Sequence, residues 1–168
     1  VTHIMNITDI DDKTIRDSIK EGKSLLEFTN FYTEELYKDR DMLAIIPANR
    51  YTKATDHIPE MVLMIEILIQ KGYAYKTPDG SVYFSVKADP DYGRLSRIDM
   101  TALKDNAGSR LSQDEYTKDD AQDFALWKAW DENDGSVFWE TSLGKGRPGW
   151  HIECSAMSMK YLGTTIDI

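Results

Sequence analysis

Apolar positions change their spacing several times along the chain, and each change marks a predicted element. Val1 to Ile7 is β-branched and apolar and reads as a strand that runs into a polar loop, Thr8-Asp9-Ile10-Asp11-Asp12. A strand followed by a Thr/Asp loop is a common layout for an α/β active site, because ligands sit beyond strand C-termini. Ser24-Leu25-Leu26-Glu27 predicts a capping box, with Ser24 as N-cap and Glu27 reaching back. The helix it opens carries Leu25, Phe28, Tyr32 and Leu36 at spacings of three and four, and Pro47 closes the section. A second helix starts at Asp56 or His57, with Pro59 in its first turn, where a missing N–H costs little. Ile58, Met61, Val62, Ile65, Leu68 and Ile69 form its expected buried face, and Gly72 stops it.

The period then switches to two. Tyr73-Ala74-Tyr75, a turn at Pro78-Asp79-Gly80, and Ser81 to Val86 predict a β-hairpin. From Lys87 to Lys145 the chain reads as loops, short strands and polar turns, with aromatic residues at Tyr92, Trp127, Trp130, Phe138 and Trp139. This stretch is expected to be an insertion with a small core of its own. Gly144 to Gly149 reads as a flexible hinge, followed by a helix with Trp150, Cys154, Met157 and Tyr161 on one face. Gly163 ends that helix, and Thr164 to Ile168 predicts a last strand. Without an initiator Met, and with predicted strands at both ends, the chain reads as an internal piece of a longer protein.

Composition narrows the picture. The formal charge of −9 disfavours a phosphate-gripping surface, since nucleic-acid affinity rests on Lys and Arg displacing counterions. No apolar run approaches the roughly 18 residues of a membrane span, and no signal peptide is visible. The single cysteine, Cys154, excludes an internal disulfide and fits a reducing cytoplasm.

Three features carry candidate chemistry. Trp150 and Cys154 lie one helical turn apart, so an aromatic wall beside a thiol could line a pocket or simply pack in a core, the commoner fate of a free cysteine. His151 and Cys154 alone do not make a zinc site. Asp9, Asp11 and Asp12 follow a strand, where carboxylates orient substrates or cap the next helix; capping is favoured for Asp12, and Asp9 stays open. Gly144 to Gly149, with Arg147, does not match a phosphate loop.

These features occur in an order that resembles the cysteinyl-tRNA synthetase family. The resemblance is carried by Asn6-Ile7-Thr8-Asp9-Ile10-Asp11-Asp12-Lys13, Ala54-Thr55-Asp56-His57-Ile58, Asp91-Tyr92-Gly93-Arg94-Leu95-Ser96 and Asp123-Phe124-Ala125-Leu126-Trp127-Lys128. The most specific stretch is Gly146-Arg147-Pro148-Gly149-Trp150-His151-Ile152-Glu153-Cys154-Ser155-Ala156-Met157-Ser158. The chain departs from the family at Thr141-Ser142-Leu143, where Ser-Pro-Trp is usual.

The resemblance implies an α/β fold: a partial Rossmann-like catalytic domain of the class I synthetases, interrupted by an inserted mixed α+β connective domain. Residues 1–50 and 145–168 would belong to the catalytic core and residues 51–144 to the insertion. It further implies cysteine, ATP with Mg2+, and tRNA(Cys) as partners of the longer protein, with Cys154 as a zinc ligand and Thr8 and Trp150 contacting the substrate. Zinc suits that task because it prefers a thiolate to a hydroxyl, which separates cysteine from serine. The family's other zinc ligands and both of its ATP signatures would lie outside this chain, so the chain alone is expected to be inactive. Two rival readings stand beside this one: a cysteine ligase of the mycothiol pathway with the same core, and a non-catalytic binding module.

Overall fold

The computed structural model describes residues 1–95 and 123–167. Strand β1 (Ile4–Ile7) delivers the chain to Asp11, which caps helix α1 (Asp12–Lys20) in a reciprocal box with Thr14. The cap is therefore Asp11, not Asp12; Asp12 is already inside the first turn. Ser24 and Glu27 form the expected box ahead of α2 (Leu25–Met42). Strand β2 (Arg50–Lys53) then lies parallel to β1, pairing Ile4 with Arg50 and Ile7 with Lys53. A 3-10 turn, Ala54–His57, leads into α3 (Ile58–Gln70), with Pro59 at its start and Ile58, Met61 and Ile65 buried.

The second sheet is antiparallel. The hairpin β3 (Ala74–Lys76) and β4 (Val82–Phe84) forms as the alternation predicts. It continues through β5 (Phe124–Ala129) and β7 (Gly144–Pro148) to β6 (Trp139–Thr141), in the order β3-β4-β5-β7-β6. Helix α4 (Trp150–Leu162) follows directly. A parallel pair plus an inserted antiparallel sheet is the mixed α/β architecture expected, with Rossmann-like and connective parts. Residues 96–122, through which the expected insertion runs, lie outside the described residues, as does Ile168 of the expected last strand.

Two expectations about backbone form are also corrected. Gly144–Pro148 is not a hinge but an inner strand of the sheet, and its glycines are there for close approach. A Cβ on Gly146 would fall 2.2 Å from the Lys128 carbonyl oxygen, and one on Gly149 2.0 Å from that of Ala125. Residues 164–167 form no strand: they are exposed and pair with no strand among the described residues, since β-propensity alone does not hold an extended segment.

The aromatic residues of the antiparallel sheet do not make a separate core. Trp127, Leu126 and Val82 belong to one cluster with Ile10 and Ile15 beside β1, with Ile58, Met61 and Ile65 of α3, and with Ile152 and Ala156 of α4. An ionic network, buried at Arg147, Asp134 and Lys128 but exposed at Asp12, reinforces the junction. Arg147 on β7 donates to Asp134 at 2.8 Å and to Asp12 at 2.5 Å, while Lys128 on β5 reaches Asp12 at 2.8 Å. Among the described residues no helix is long and apolar enough to cross a membrane.

Candidate functional site

Three elements meet around the C-terminal end of β1: the loop 8–11, the 3-10 turn after β2, and α4. Thr8 is half-buried, and its hydroxyl accepts a hydrogen bond from the Asn6 amide at 3.0 Å. It borders a groove of about 260 Å³ together with Asn6, Thr14, Phe28, Tyr32 and Thr33. Asp9, next in sequence, is buried at the edge of the same groove. Its carboxylate accepts from the Thr55 backbone N–H at 3.0 Å and from the Thr55 hydroxyl at 2.6 Å. Asp9 thus ties the end of β1 to the turn that follows β2, which gives the strand-loop carboxylate a structural task.

Helix α4 presents its faces differently from the expected pattern. Ile152, Glu153, Ala156 and Met157 are buried, whereas Trp150 is 59% exposed and Cys154 is exposed. Within this chain the Trp150–Cys154 pair is therefore outside the core, and the two stand on its surface one turn apart. His151 packs its ring 4.6 Å from Phe124 and 5.1 Å from Trp150, which holds the aromatic end of the helix against β5. The groove beside Thr8 is lined by neither Trp150 nor Cys154.

Partial burial of its sulfur, and then the Glu153 charge, push the Cys154 thiol above its ordinary pKa. A metal would have to displace that proton to bind a thiolate. Glu153 is the unusual residue of the helix. Its side chain is fully buried with both carboxylate oxygens unpartnered among the described residues. Burial, with Asp9 and Asp11 adding repulsion, pushes its pKa up to about 8 against the opposing pull of Arg147. Among the described residues no three His, Cys, Asp or Glu side chains converge as a metal site. Cys154 suits zinc as one accessible sulfur donor, but a centre needs further donors from beyond these residues.

His57, a residue without an assigned role in the sequence pattern, is buried between Lys53 and Tyr161. Neither Glu153 nor the His57–Tyr161 contact is visible from spacing. The one hint for Glu153 is an acidic residue set among Ile152, Ala156 and Met157 in a buried stripe.

A family model for the catalytic domain of class I tRNA synthetases (C) matches residues 1–168. Proteins named cysteine–tRNA ligase match along the same length. The chain belongs to the cysteinyl-tRNA synthetase family. The relative from Brachyspira hyodysenteriae is 50% identical over 165 residues, covering 98% of this chain and 35% of its own. That from Chlamydia pneumoniae is 49% identical over all of this chain and 35% of its own, and that from Protochlamydia amoebophila is 48% identical with the same coverage. The chain thus spans about a third of the length of the curated cysteinyl-tRNA synthetases that it matches, at 35%.

Proposed function

We propose that the chain is part of the cysteine-activating centre of a longer enzyme, which joins cysteine to ATP as cysteinyl-adenylate and then esterifies the 3′ end of tRNA(Cys). The observation that carries this reading is the exposed stripe of α4, with Trp150 and Cys154 one turn apart in a chain 47–50% identical to proteins named cysteine–tRNA ligase. Trp150 offers a flat apolar wall to the amino acid, Thr8 a polar contact beyond β1, and Cys154 one ligand for zinc. When bound, zinc would hold the substrate sulfur as a thiolate, with its remaining donors supplied from beyond the described residues. ATP with Mg2+ is the second substrate, and residues outside this chain would bind its phosphates. On this reading 1–50 and 145–168 are catalytic core, 51–144 is the connective insertion, and the enzyme works in the cytoplasm. The acidic charge of −9 leaves tRNA binding mainly to other parts of the protein.

The test is cysteine-dependent ATP–pyrophosphate exchange and tRNA(Cys) charging by the full-length protein, purified free of host synthetase. Both activities are expected, and Cys154→Ser should lower bound zinc and cysteine-over-serine selection together. Exchange without tRNA charging, but with transfer to an amino sugar, would move the reading to the related cysteine ligase. No cysteine-dependent exchange at all would overturn it.

A further inference from the structure

The helix bearing Trp150 and Cys154 is held at both ends. At its start the Gly149 N–H donates to the Leu126 carbonyl at 2.8 Å, and the bare glycine backbone lies against Ala125. At its far end the Tyr161 hydroxyl meets His57 Nε2 at 2.8 Å, across 104 residues of chain. The other ring nitrogen, Nδ1, lies 2.6 Å from the Lys53 carbonyl oxygen. A carbonyl can only accept, so Nδ1 carries a proton, and in the neutral ring Nε2 accepts from Tyr161. His57 ends the 3-10 turn that follows β2, so it is coupled to the parallel pair whose other strand leads to Thr8. The Arg50 guanidinium covers the Tyr161 ring at 4.5 Å, and Lys160 pairs with Glu60 on α3 at 2.5 Å.

Tyr161 follows Cys154 by seven residues, two turns along the same side of the helix. Rotation of α4 about its axis would move both side chains through the same angle. With a helix radius of about 5–6 Å including side chains, a turn of roughly 10° displaces them by about 1 Å. A misplacement of that size is enough to cost on the order of a hundredfold in rate when it falls on reacting groups.

We infer that His57 and Tyr161 are a positioning pair: their hydrogen bond fixes the rotation of α4 against the parallel strands and thereby the angle at which Trp150 and Cys154 meet the cysteine substrate. The inference rests on the reading of that stripe as the cysteine site. The pair touches no substrate and acts only through the helix.

The test uses the full-length protein and Tyr161→Phe, which removes one hydroxyl and little else. KM for cysteine should rise about five- to tenfold, the scale of one lost hydrogen bond, while KM for ATP stays within about twofold. Alkylation of Cys154, followed at the level of its peptide by mass spectrometry, should change rate under conditions where Tyr161→Phe remains fully folded, although the lost tie lowers its thermal midpoint by a few degrees. His57→Gln, which retains an acceptor for Tyr161, should be milder than His57→Ala, and adding Tyr161→Phe to His57→Ala should cost nothing further. Unchanged cysteine KM in Tyr161→Phe, parallel rises in both KM values, or additive losses in the double variant would each overturn the pair alone. A wild-type protein with no cysteine-dependent exchange would overturn the pair and the site reading together.

Discussion

The antiparallel sheet and the parallel pair are stabilised in different ways. In the sheet, Val82, Tyr83 and Trp127 have no exposed surface, whereas α2, beside the parallel pair, leaves Leu26, Phe31, Tyr32 and Leu36 between 45% and 61% exposed. Antiparallel neighbours pair through short connections and add strands by continuing the ladder. A parallel pair must wait for a long crossover, and two strands of four residues bury little by themselves. Single polar ties hold it instead: Asp9 to Thr55 at the strand ends, Lys53 to Asn30 at 2.5 Å, and His57 to Tyr161. The proposed site sits where the two regions meet, so its geometry depends on a few directional bonds beside a packed wall.

The same kind of truncation in the two regions tests that contrast most sharply. Trp127→Ala should cost about 3–5 kcal/mol in urea denaturation, since a large, fully enclosed side chain leaves a cavity. Should it cost no more than removal of an exposed aromatic, the division between the regions collapses. Thr55→Val keeps the volume but strips the hydroxyl from buried Asp9, and about 1–3 kcal/mol is expected from the lost partner. A neutral result there would mean that packing, not the polar tie, holds the parallel pair. Phe31→Ala on α2 should lie near 0.5–1 kcal/mol, on the order of a half-exposed aromatic contact, and its thermal midpoint should barely move.

The smallest expected effect is a pH dependence at the seam. Burial alone would raise the Asp12 pKa, but the Lys128 hydrogen bond and the Arg147 charge outweigh it and hold the carboxyl below its ordinary value. A carboxylate depressed in the folded state contributes stability that is fully present above its unfolded pKa and is lost as pH falls through the folded one. Asp12→Asn should therefore flatten the acid limb of the stability curve, below about pH 4, and leave the slope near neutrality unchanged. An acid limb identical to wild type would show that exposure of Asp12 screens the network away.

Local information is enough wherever a feature involves residues within about four positions of each other. The Ser24–Glu27 box, the stripe of Ile58, Met61 and Ile65, the hairpin around Asp79-Gly80 and the family motif at Gly146 to Ser158 are all legible, because caps, helical faces and tight turns depend on neighbours along the chain. Distant partners decide the rest. Strand Arg50–Lys53 is not legible because four residues without alternation become a strand only when β1 lies alongside. Gly144–Pro148 reads as flexible because glycine's conformational freedom is a local property, whereas its use here is to let Lys128 and Ala125 approach. Thr164 to Asp167 has the composition of a strand yet pairs with none among the described residues.

In the site the same division holds. Sequence alone determined that Trp150 and Cys154 share a helical side and that a threonine and carboxylates follow β1, since the 3.6-residue period and the strand end require it. Only the tertiary structure decided which side of α4 faces outward, that Glu153 is buried without a partner among the described residues, that Asp9 turns to Thr55, and that His57 meets Tyr161 from 104 residues away. The reason is physical: helical periodicity sets angles between residues of one helix, but the rotation of that helix in space is set by the groups it packs against, and those are remote in the chain.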